Sequence, residues 1–305
     1  MRYGGHQTFT IRDGWLHKAM KFLCNDEERH LLTDEYAADH LGVGRNMAKS
    51  INHWLLATGL AQKGTEKSKD GRDKASKELE PTFFGKKIWI HDSFFIDPGT
   101  WWLLHINLVN DPSNAATWNW FFNKFAMDRF QKAICLQSLI RNENTNAGRS
   151  PSQTTLDRDL SCFLSSYSKE IPSKKKDPED EIVSPFVELG LMRYYRSSGY
   201  YQVIRDRKNV DFNIFMYAVK KAIGDDYSIQ KSTIEIPFFE LANISNGPCR
   251  VFSLTNEGLF ELLLSYESLN GRAGVQLIGL AGERLVRLPN DIPIKWLQKY
   301  YSERK

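Results

Sequence analysis

Residues 33–62 read TDEYAADHLGVGRNMAKSINHWLLATGLAQ, and they have the spacing of two helices joined by a tight turn, followed by a strand. Ala38 is the small residue where the two helices come close, and Gly42 falls four residues later, in the turn. A left-handed turn conformation is favourable there because glycine has no Cβ. The stretch therefore predicts a helix-turn-helix, with these positions buried: Ala37, Leu41, Val43, Ala48 and Ile51.

The start of the second helix carries small and polar residues that we expect to face outward. They are Gly44, Arg45, Asn46, Lys49, Ser50 and Asn52. Side chains of these types contact phosphates and base edges when a recognition helix enters the major groove. The pattern predicts DNA contact through Arg45, Asn46, Lys49 and Ser50. An ordinary helical hairpin used only for protein contacts is the alternative.

A basic segment follows the helix-turn-helix. Residues 59–62 predict a first strand, and residues 79–90 (LEPTFFGKKIWI) predict a return strand that leads into another short element. The loop between them contains six basic residues: Lys63, Lys67, Lys69, Arg72, Lys74 and Lys77. A basic wing of this kind can contact the DNA backbone or the minor groove. An exposed, solvated loop has the same composition, so this alternative stays open.

Composition limits the class of protein. A chain of 305 residues predicts two domains, and the excess of 41 Lys and Arg over 37 Asp and Glu gives a net charge of only +4. DNA binding must then depend on local basic clusters. The cysteines form no CxxC pair, which disfavours zinc and iron–sulfur sites and favours a reduced, cytoplasmic setting. No apolar run predicts a signal peptide or a membrane span.

The N-terminal segment MRYGGHQTFTIRDGWLHK combines two glycines with polar and aromatic residues. A glycine pair permits a tight backbone path that can present His6 to a ligand. His6 and Arg12 are therefore candidates for holding a phosphate or for acid–base chemistry. In the alternative, Phe9, Ile11 and Trp15 pack this segment against the protein, and it has only a structural role.

The rest of the chain predicts helices and short hairpins. Residues 100–125 are rich in Trp and Phe at helical spacing, which favours a buried junction over a base-stacking surface. The loop at residues 142–152 (NENTNAGRSPS) marks a domain boundary. We expect a mainly α protein with small β-hairpins, an α+β class. Residues 1–145 would form a winged helix-turn-helix domain with an aromatic helical extension, and residues 146–305 an α+β domain of winged-helix character.

Two acidic residues flank an arginine near the start of the second half, at Asp157, Arg158 and Asp159. Carboxylates near a scissile phosphate can bind Mg²⁺ or Mn²⁺, so Asp157 and Asp159 are candidate metal ligands and Asp159 a candidate catalytic residue. Acidic residues also favour the first turn of a capped helix, which is the alternative. Residues 179–181 are a similar acidic candidate.

A second basic surface is predicted in the hairpin at residues 192–204. Arg193 and Arg196 lie there among several tyrosines, and Arg205 and Arg207 follow. Together with Arg158, these arginines are candidates for nucleic-acid contact; an exposed, soluble hairpin is the alternative. The chain has no phosphate-binding GxxxxGK[ST] loop, no GxGxxG, no GxSxG and no HExxH, which disfavours nucleotide or organic cofactors.

Three motifs together resemble a bacterial family of unknown function encoded beside DNA phosphorothioation proteins. These are residues 5–9 (GHQTF) with Arg12 and Trp15, residues 97–104 (DPGTWWLL), and the Arg158-Asp159 element before Phe163. The resemblance extends past residue 200, and Gln7 stands where the family commonly has glutamate. The family is similar to the SspB-like DNA-nicking component of these systems.

The resemblance implies a DNA-binding component of phosphorothioation and phage defence that nicks one strand of double-stranded DNA so that sulfur can enter. It implies as partners an ATPase, an ATP-pyrophosphatase-type protein and a cysteine desulfurase, and a homodimer stays open. On this hypothesis His6, Arg12 and Asp159 act at the phosphate. The alternatives are a non-catalytic winged-helix regulator, or an adaptor or scaffold that binds other proteins.

Overall fold

The structure is a computed structural model that describes residues 3–33, 35–67, 73–145, 151–171, 183–206, 208–224, 232–269, 274–280 and 283–304. The chain forms two compact units. Unit 1 comprises Met1–Trp120 and Met127–Gln202, and unit 2 comprises Phe121–Ala126 and Val203–Lys305. The main division therefore follows residue 202, and the boundary predicted between residues 145 and 146 lies inside unit 1.

The predicted helix, turn and helix are observed in unit 1. Helix α1 (Trp15–Leu23) and a 3₁₀ turn (Arg29–Leu32) precede α2 (Ala37–Leu41) and α3 (Arg45–Ala57). Gly42 ends α2 in the left-handed conformation with φ 65°, as expected for a residue without Cβ. Four of the five predicted core positions are buried, and Val43 is half-buried.

A β-hairpin follows α3, and its return strand begins earlier than predicted. Strand β1 (Ala61–Lys67) pairs antiparallel with β2 (Asp73–Pro81), with an irregularity between Lys63 and Thr65. Lys69 and Arg72 lie outside the described residues. The short element predicted after the return strand is helix α4 (Phe83–His91). Thr82 caps this helix through its side chain, which accepts from the Gly85 amide.

Aromatic helices form the core of unit 1. Helix α5 (Pro98–Asn110) starts at the Asp97 cap and is buried along most of its length, as its apolar pattern predicts. Helices α6 (Ala116–Lys124), α7 (Lys132–Thr145) and α8 (Gln153–Tyr167) follow. Trp118 packs edge-on against Phe163, with ring centroids 5.4 Å apart. The Trp and Phe side chains of this region thus build a core.

A four-stranded sheet completes unit 1, in the order β3-β6-β5-β4. Its strands are β3 (Arg129–Phe130), β4 (Ser168–Ile171), β5 (Met192–Tyr195) and β6 (Tyr200–Val203). The predicted hairpin is β5 and β6. Strand β4 adds to it in parallel, pairing Ser168 with Met192. A 3₁₀ helix (Pro185–Leu189) precedes β5.

Unit 2 combines helices with a three-stranded antiparallel sheet. Helix α9 (Phe212–Ile223) is capped by Asp211, and strand β7 (Thr233–Pro237) leads into α10 (Phe238–Asn243) and α11 (Pro248–Val251). The Thr255 side chain caps helix α12 (Asn256–Ser268). Strands β8 (Gln276–Leu280) and β9 (Glu283–Pro289) form an antiparallel hairpin, with sheet order β7-β9-β8, and α13 (Pro293–Ser302) follows.

The fold class is therefore mixed: helices with three small sheets among the described residues. This agrees with the predicted combination of helices and hairpins. No helix in the described parts of the chain is both long and apolar enough to cross a membrane.

Candidate functional site

The N-terminal motif forms a tight turn whose backbone is unusual. Gly4, Gln7 and Thr8 have φ angles of 74°, 50° and 70°, in the left-handed region. Left-handed conformations at non-glycine residues cost roughly 1–3 kcal/mol each, and such strain is often found at functional positions. A Cβ on Gly5 would overlap the imidazole of His53. The glycine pair is thus explained by one left-handed position and one close approach.

The turn directs His6 inward, where it meets Asp159 from α8. His6 Nε2 lies 2.7 Å from Asp159 Oδ1, and the two side chains are 1% and 3% exposed. The Gly4 amide donates to the same carboxylate oxygen at 2.6 Å, and the Thr117 hydroxyl donates to the other at 2.5 Å. Sequence analysis named both His6 and Asp159, but no local signal could show that they form a pair.

Hydrogen bonding assigns the proton on the His6 ring. The Thr8 backbone N–H donates to Nδ1 at 3.1 Å, so Nδ1 is the acceptor and Nε2 carries the hydrogen that Asp159 accepts. The Trp54 and Trp118 rings lie 6.0 Å from the imidazole. Both ring nitrogens are therefore engaged inside an aromatic enclosure.

In the observed arrangement His6 and Asp159 bind each other, and their catalytic role at a phosphate stays a prediction. Both side chains are buried, and their hydrogen bonds connect the N-terminal turn to α6 and α8. A buried carboxylate with three donors depends on those donors, and removing one partner of such a buried pair costs about 3–5 kcal/mol. The pair thus acts as a clamp on the N-terminal turn.

The metal pair predicted at Asp157 and Asp159 is also separated by the fold. Residues two apart on a helix face different directions. Asp157 is partly exposed and lies 2.7 Å from Lys132 Nζ, whereas Asp159 is buried with His6. Among the described residues, no group of three or more His, Cys, Asp or Glu could hold a metal ion. Residues 179–181 lie outside the described residues.

A polar cluster close to the clamp was missed by sequence analysis. Glu143 on α7 is 6% exposed, and Asn142 Nδ2 donates to its carboxylate at 3.0 Å. Burial raises the pKa of the Tyr3 phenol, and the nearby Glu143 carboxylate raises this pKa further. Tyr3 therefore stays protonated beside this carboxylate.

The exposed surface of the helix-turn-helix is narrower than predicted. Arg45, Asn46 and Lys49 are exposed at the start of α3, as expected. Ser50 is fully buried, with its hydroxyl 3.5 Å from the Phe9 carbonyl oxygen to which it donates, so its predicted outward orientation is wrong. Asn52 is half-buried and donates to the Leu32 carbonyl at 2.6 Å.

Arg12 lies beside this surface. Its guanidinium carbon is 5.2 Å from the centre of the Trp15 ring and 5.6 Å from that of Phe9. Arg12 lines an open depression next to the turn of the helix-turn-helix. The depression is also lined by Asp39, Gly42, Gly44 and Met47. Helix α3 starts here without a side-chain cap, and the first amides of a helix have no intrahelical acceptor. The sequence predicted Arg12 as a phosphate-binding residue but not this neighbourhood.

The second predicted basic surface is partly neutralised. Arg193 is exposed on β5, and Arg158 is exposed on α8. Arg196 Nε donates to Glu170 Oε1 at 2.7 Å, across the pairing of β4 with β5. Arg207 lies outside the described residues.

Comparison with known proteins places the chain in a family. A model described as "Protein of unknown function (DUF4007)" matches residues 3–301. The chain belongs to the DUF4007 family. A comparison of this DUF4007 protein with curated proteins gave no match.

Solved structures share the DUF4007 protein's fold. An SspB crystal structure has a TM-score of 0.80 at 24% sequence identity, covering 98% of this chain and 88% of that chain. A magnesium ion-bound SspB crystal structure has a TM-score of 0.79 at 24% identity, with the same coverage. At this identity the likeness establishes an SspB-like fold. The described acidic residues of this chain do not form a magnesium site at the predicted position.

Proposed function

We propose that this chain binds double-stranded DNA through the start of α3 and serves a DNA phosphorothioation and phage-defence system as the component that nicks one strand. The observation that carries the proposal is the exposed group Arg45, Asn46 and Lys49, which follows a helix-turn-helix turn and has Arg12 beside it. The SspB-like fold and the family resemblance support the phosphorothioation context.

Each exposed side chain has a suitable role at DNA. Arg45 and Asn46 can form bidentate hydrogen bonds to guanine and adenine in the major groove. Lys49 can neutralise a phosphate. Arg12 and the first amides of α3 provide donors for a second phosphate, because the N-terminus of a helix attracts anions. The basic hairpin β1–β2, as a wing, and exposed Arg158 and Arg193 would extend the contact to the DNA backbone.

In this proposal His6 and Asp159 act indirectly. The clamp holds the N-terminal turn, and the turn packs against α3 because the Trp54 indole N–H donates to the Phe9 carbonyl at 3.1 Å. Arg12 comes three residues after Phe9 in the chain, so the clamp also helps to position Arg12. The proposed partners are the ATPase, the ATP-pyrophosphatase-type protein and the cysteine desulfurase, in the cytoplasm.

The DNA-binding proposal is tested by measuring affinity at several salt concentrations. Replacing both Arg45 and Lys49 with Ala removes two cations, so affinity should fall for every duplex sequence. The slope of log K against log salt should decrease by about 1 for each lost phosphate contact. Lys132→Ala, which changes a lysine already paired with Asp157, is the matched control. Equal slopes for wild type and the double variant would refute contact through α3.

The nicking proposal is tested with supercoiled plasmid in the presence of Mg²⁺ or Mn²⁺. Wild-type protein should produce open circles, and the Arg45→Ala, Lys49→Ala variant should lose this activity while its melting temperature is unchanged. His6→Ala and Asp159→Ala should lose activity together with stability, since they release the clamp. Nicking retained by a folded Asp159→Ala protein would contradict the clamp's role.

A non-catalytic DNA-binding regulator or adaptor is the second candidate. The observation that favours it is the burial of His6 and Asp159, which removes the predicted catalytic pair from the surface. Plasmid that stays intact with either metal ion, combined with salt-dependent duplex binding, would select this function over nicking.

A further inference from the structure

Helix α4 and the loop after it display large apolar side chains to solvent. Phe83, Ile90, Phe94 and Ile96 are 53%, 69%, 65% and 79% exposed. Single exposed apolar residues are common on protein surfaces, but four within fourteen residues form a group that is typical of interaction sites. We call these four residues the α4 patch.

The loop that carries Phe94 and Ile96 is held in place by hydrogen bonds. The Asp92 carboxylate accepts from the amides of Ile96 and Asp97 at 2.9 and 3.1 Å and from the Thr100 hydroxyl at 2.7 Å. Between the two exposed residues, Phe95 is buried at φ 57°, and its carbonyl accepts from the Trp101 indole at 2.9 Å. The fold therefore holds Phe95 in a strained conformation and keeps the Phe94 and Ile96 side chains exposed.

Helix α1 supports the patch from the side. The imidazole of His17 stacks on the Phe94 ring, with centroids 4.4 Å apart and planes 12° apart, and its Nδ1 lies 2.9 Å from the Ser93 carbonyl oxygen. The same ring lies 5.5 Å from Trp89 on α4. One face of Phe94 is therefore covered within unit 1, and the ring is held in a defined orientation.

Lysines lie around the patch on α1 and α4, and the two carboxylates of its loop, Asp92 and Asp97, accept hydrogen bonds from neighbouring backbone amides. Lys87 Nζ lies 5.3 Å from the centre of the Phe83 ring, and Lys86 is exposed next to it. Lys86 is near enough to α1 to lower the pKa of the Cys24 thiol, although burial raises that pKa overall. Lys18 and Lys21 are exposed on α1. Neither the WLHKAMKFL sequence of α1 nor the FFGKKIWIH sequence of α4 contains an acidic residue.

We propose that the α4 patch is a docking site for an acidic amphipathic helix of another protein. The charge of α1 and α4 complements carboxylates on the flanks of such a helix, and the four apolar side chains complement its apolar stripe. Helices bind other proteins in this way through anchors at i, i+3, i+4 and i+7. The proposal is independent of DNA binding through α3.

The side-chain types favour a protein over single-stranded nucleic acid. Bases stack on open aromatic faces. The two most exposed members of the patch are isoleucines, which have no aromatic face, and Phe94 has one face covered by His17. Branched aliphatic side chains on a fixed loop instead fit the apolar anchors of a protein interface.

The test selects binders from a displayed library of amphipathic helices of about 16 residues with randomised flanking positions, using the full chain as bait. Selected peptides should carry Glu and Asp on their flanks. Their affinity, measured by fluorescence anisotropy, should fall roughly tenfold or more for Ile90→Asp and for Ile96→Asp, because buried anchors dominate binding energy. Lys86→Glu should weaken the same peptides and increase the affinity of versions with Lys in place of Glu.

The matched control is Phe239→Asp, which changes a side chain that is 75% exposed in unit 2 and should leave binding unchanged. Ile90 and Ile96 are largely exposed, so their substitution should preserve the melting temperature. Selected peptides that bind Ile90→Asp and Ile96→Asp as tightly as wild type would overturn the proposal. So would preferential, Ile96-dependent binding of a labelled oligothymidine, or selection of basic flanks.

Discussion

The His6–Asp159 clamp and the start of α3 lie in the same unit, and both contain side chains suited to phosphate chemistry. In the clamp these groups are buried and hydrogen-bonded to one another. At the start of α3, Arg45, Asn46 and Lys49 are exposed. The histidine of the chain's most distinctive sequence motif therefore lies in the interior, and a more ordinary helix presents the polar surface.

The comparison shows that the reactivity of a side chain and its accessibility to a substrate are separate properties. A histidine beside a carboxylate can serve in acid–base catalysis, but only if a substrate can reach it. Buried polar networks of this kind can instead fix the position of chain segments that are distant in sequence. Here the clamp holds a strained turn whose last residue, Phe9, contacts α3. The buried region supports the exposed one.

The largest expected effect is on stability, from Asp159→Ala. The change leaves the His6 N–H, the Gly4 amide and the Thr117 hydroxyl without their acceptor, at a cost of about 3–5 kcal/mol. The melting temperature should fall by roughly 10 °C. Asp157→Ala, two residues earlier on the same helix, removes only a partly exposed ion pair with Lys132 and should cost about 0–1 kcal/mol. Equal melting temperatures for the two variants would show that the His6–Asp159 clamp does not stabilise the protein.

A smaller loss of stability is expected for Gly5→Ala. The new methyl group would overlap the buried His53 ring, and overpacking typically costs about 1–3 kcal/mol. Gly279→Ala on β8 is the control, because no atom lies within 4 Å of its added Cβ. Thermal unfolding of both variants measures the difference. A Gly5→Ala protein as stable as the Gly279→Ala protein would show that the turn can move away from His53.

Local signals in the sequence predicted the elements of the fold well. The Gly42 turn and the hairpin at residues 192–204 depend on residues close in sequence, and both are observed. The stretch that forms α4 predicted only a short element of undefined type, because its apolar residues are spread around the helix with no clear period. Its side-chain cap at Thr82 was the overlooked signal.

Contacts between distant segments could not be predicted in the same way. His6 and Asp159 are 153 residues apart, and neither local pattern reveals the other as a partner. Ser50 illustrates the same limit on a helix. Its position on the helix predicts exposure, but the N-terminal turn covers it at Phe9, 41 residues earlier in the chain. Burial by a remote segment therefore decides which candidate residues reach the surface.

The contrast between neighbouring residues of α3 is tested by DNA affinity. Lys49→Ala should weaken duplex binding severalfold and reduce the salt slope by about 1, whereas Ser50→Ala should leave both unchanged. Ser50→Ala should instead cost less than about 1 kcal/mol of stability, because its hydrogen bond to Phe9 is long at 3.5 Å. A loss of affinity with Ser50→Ala alone, at constant stability, would mean that Ser50 turns outward when DNA binds.

The smallest effects are expected in the β5–β6 hairpin, where two arginines three residues apart differ in their surroundings. Arg193 is exposed, whereas the Glu170 carboxylate offsets the charge of Arg196. Arg193→Ala should lower duplex affinity about twofold, and Arg196→Ala should lower it less. Gel-shift titrations at low salt measure both affinities. The opposite order would indicate that DNA displaces Glu170 from Arg196, and the hairpin would then join the α3 surface as a DNA contact that forms only on binding.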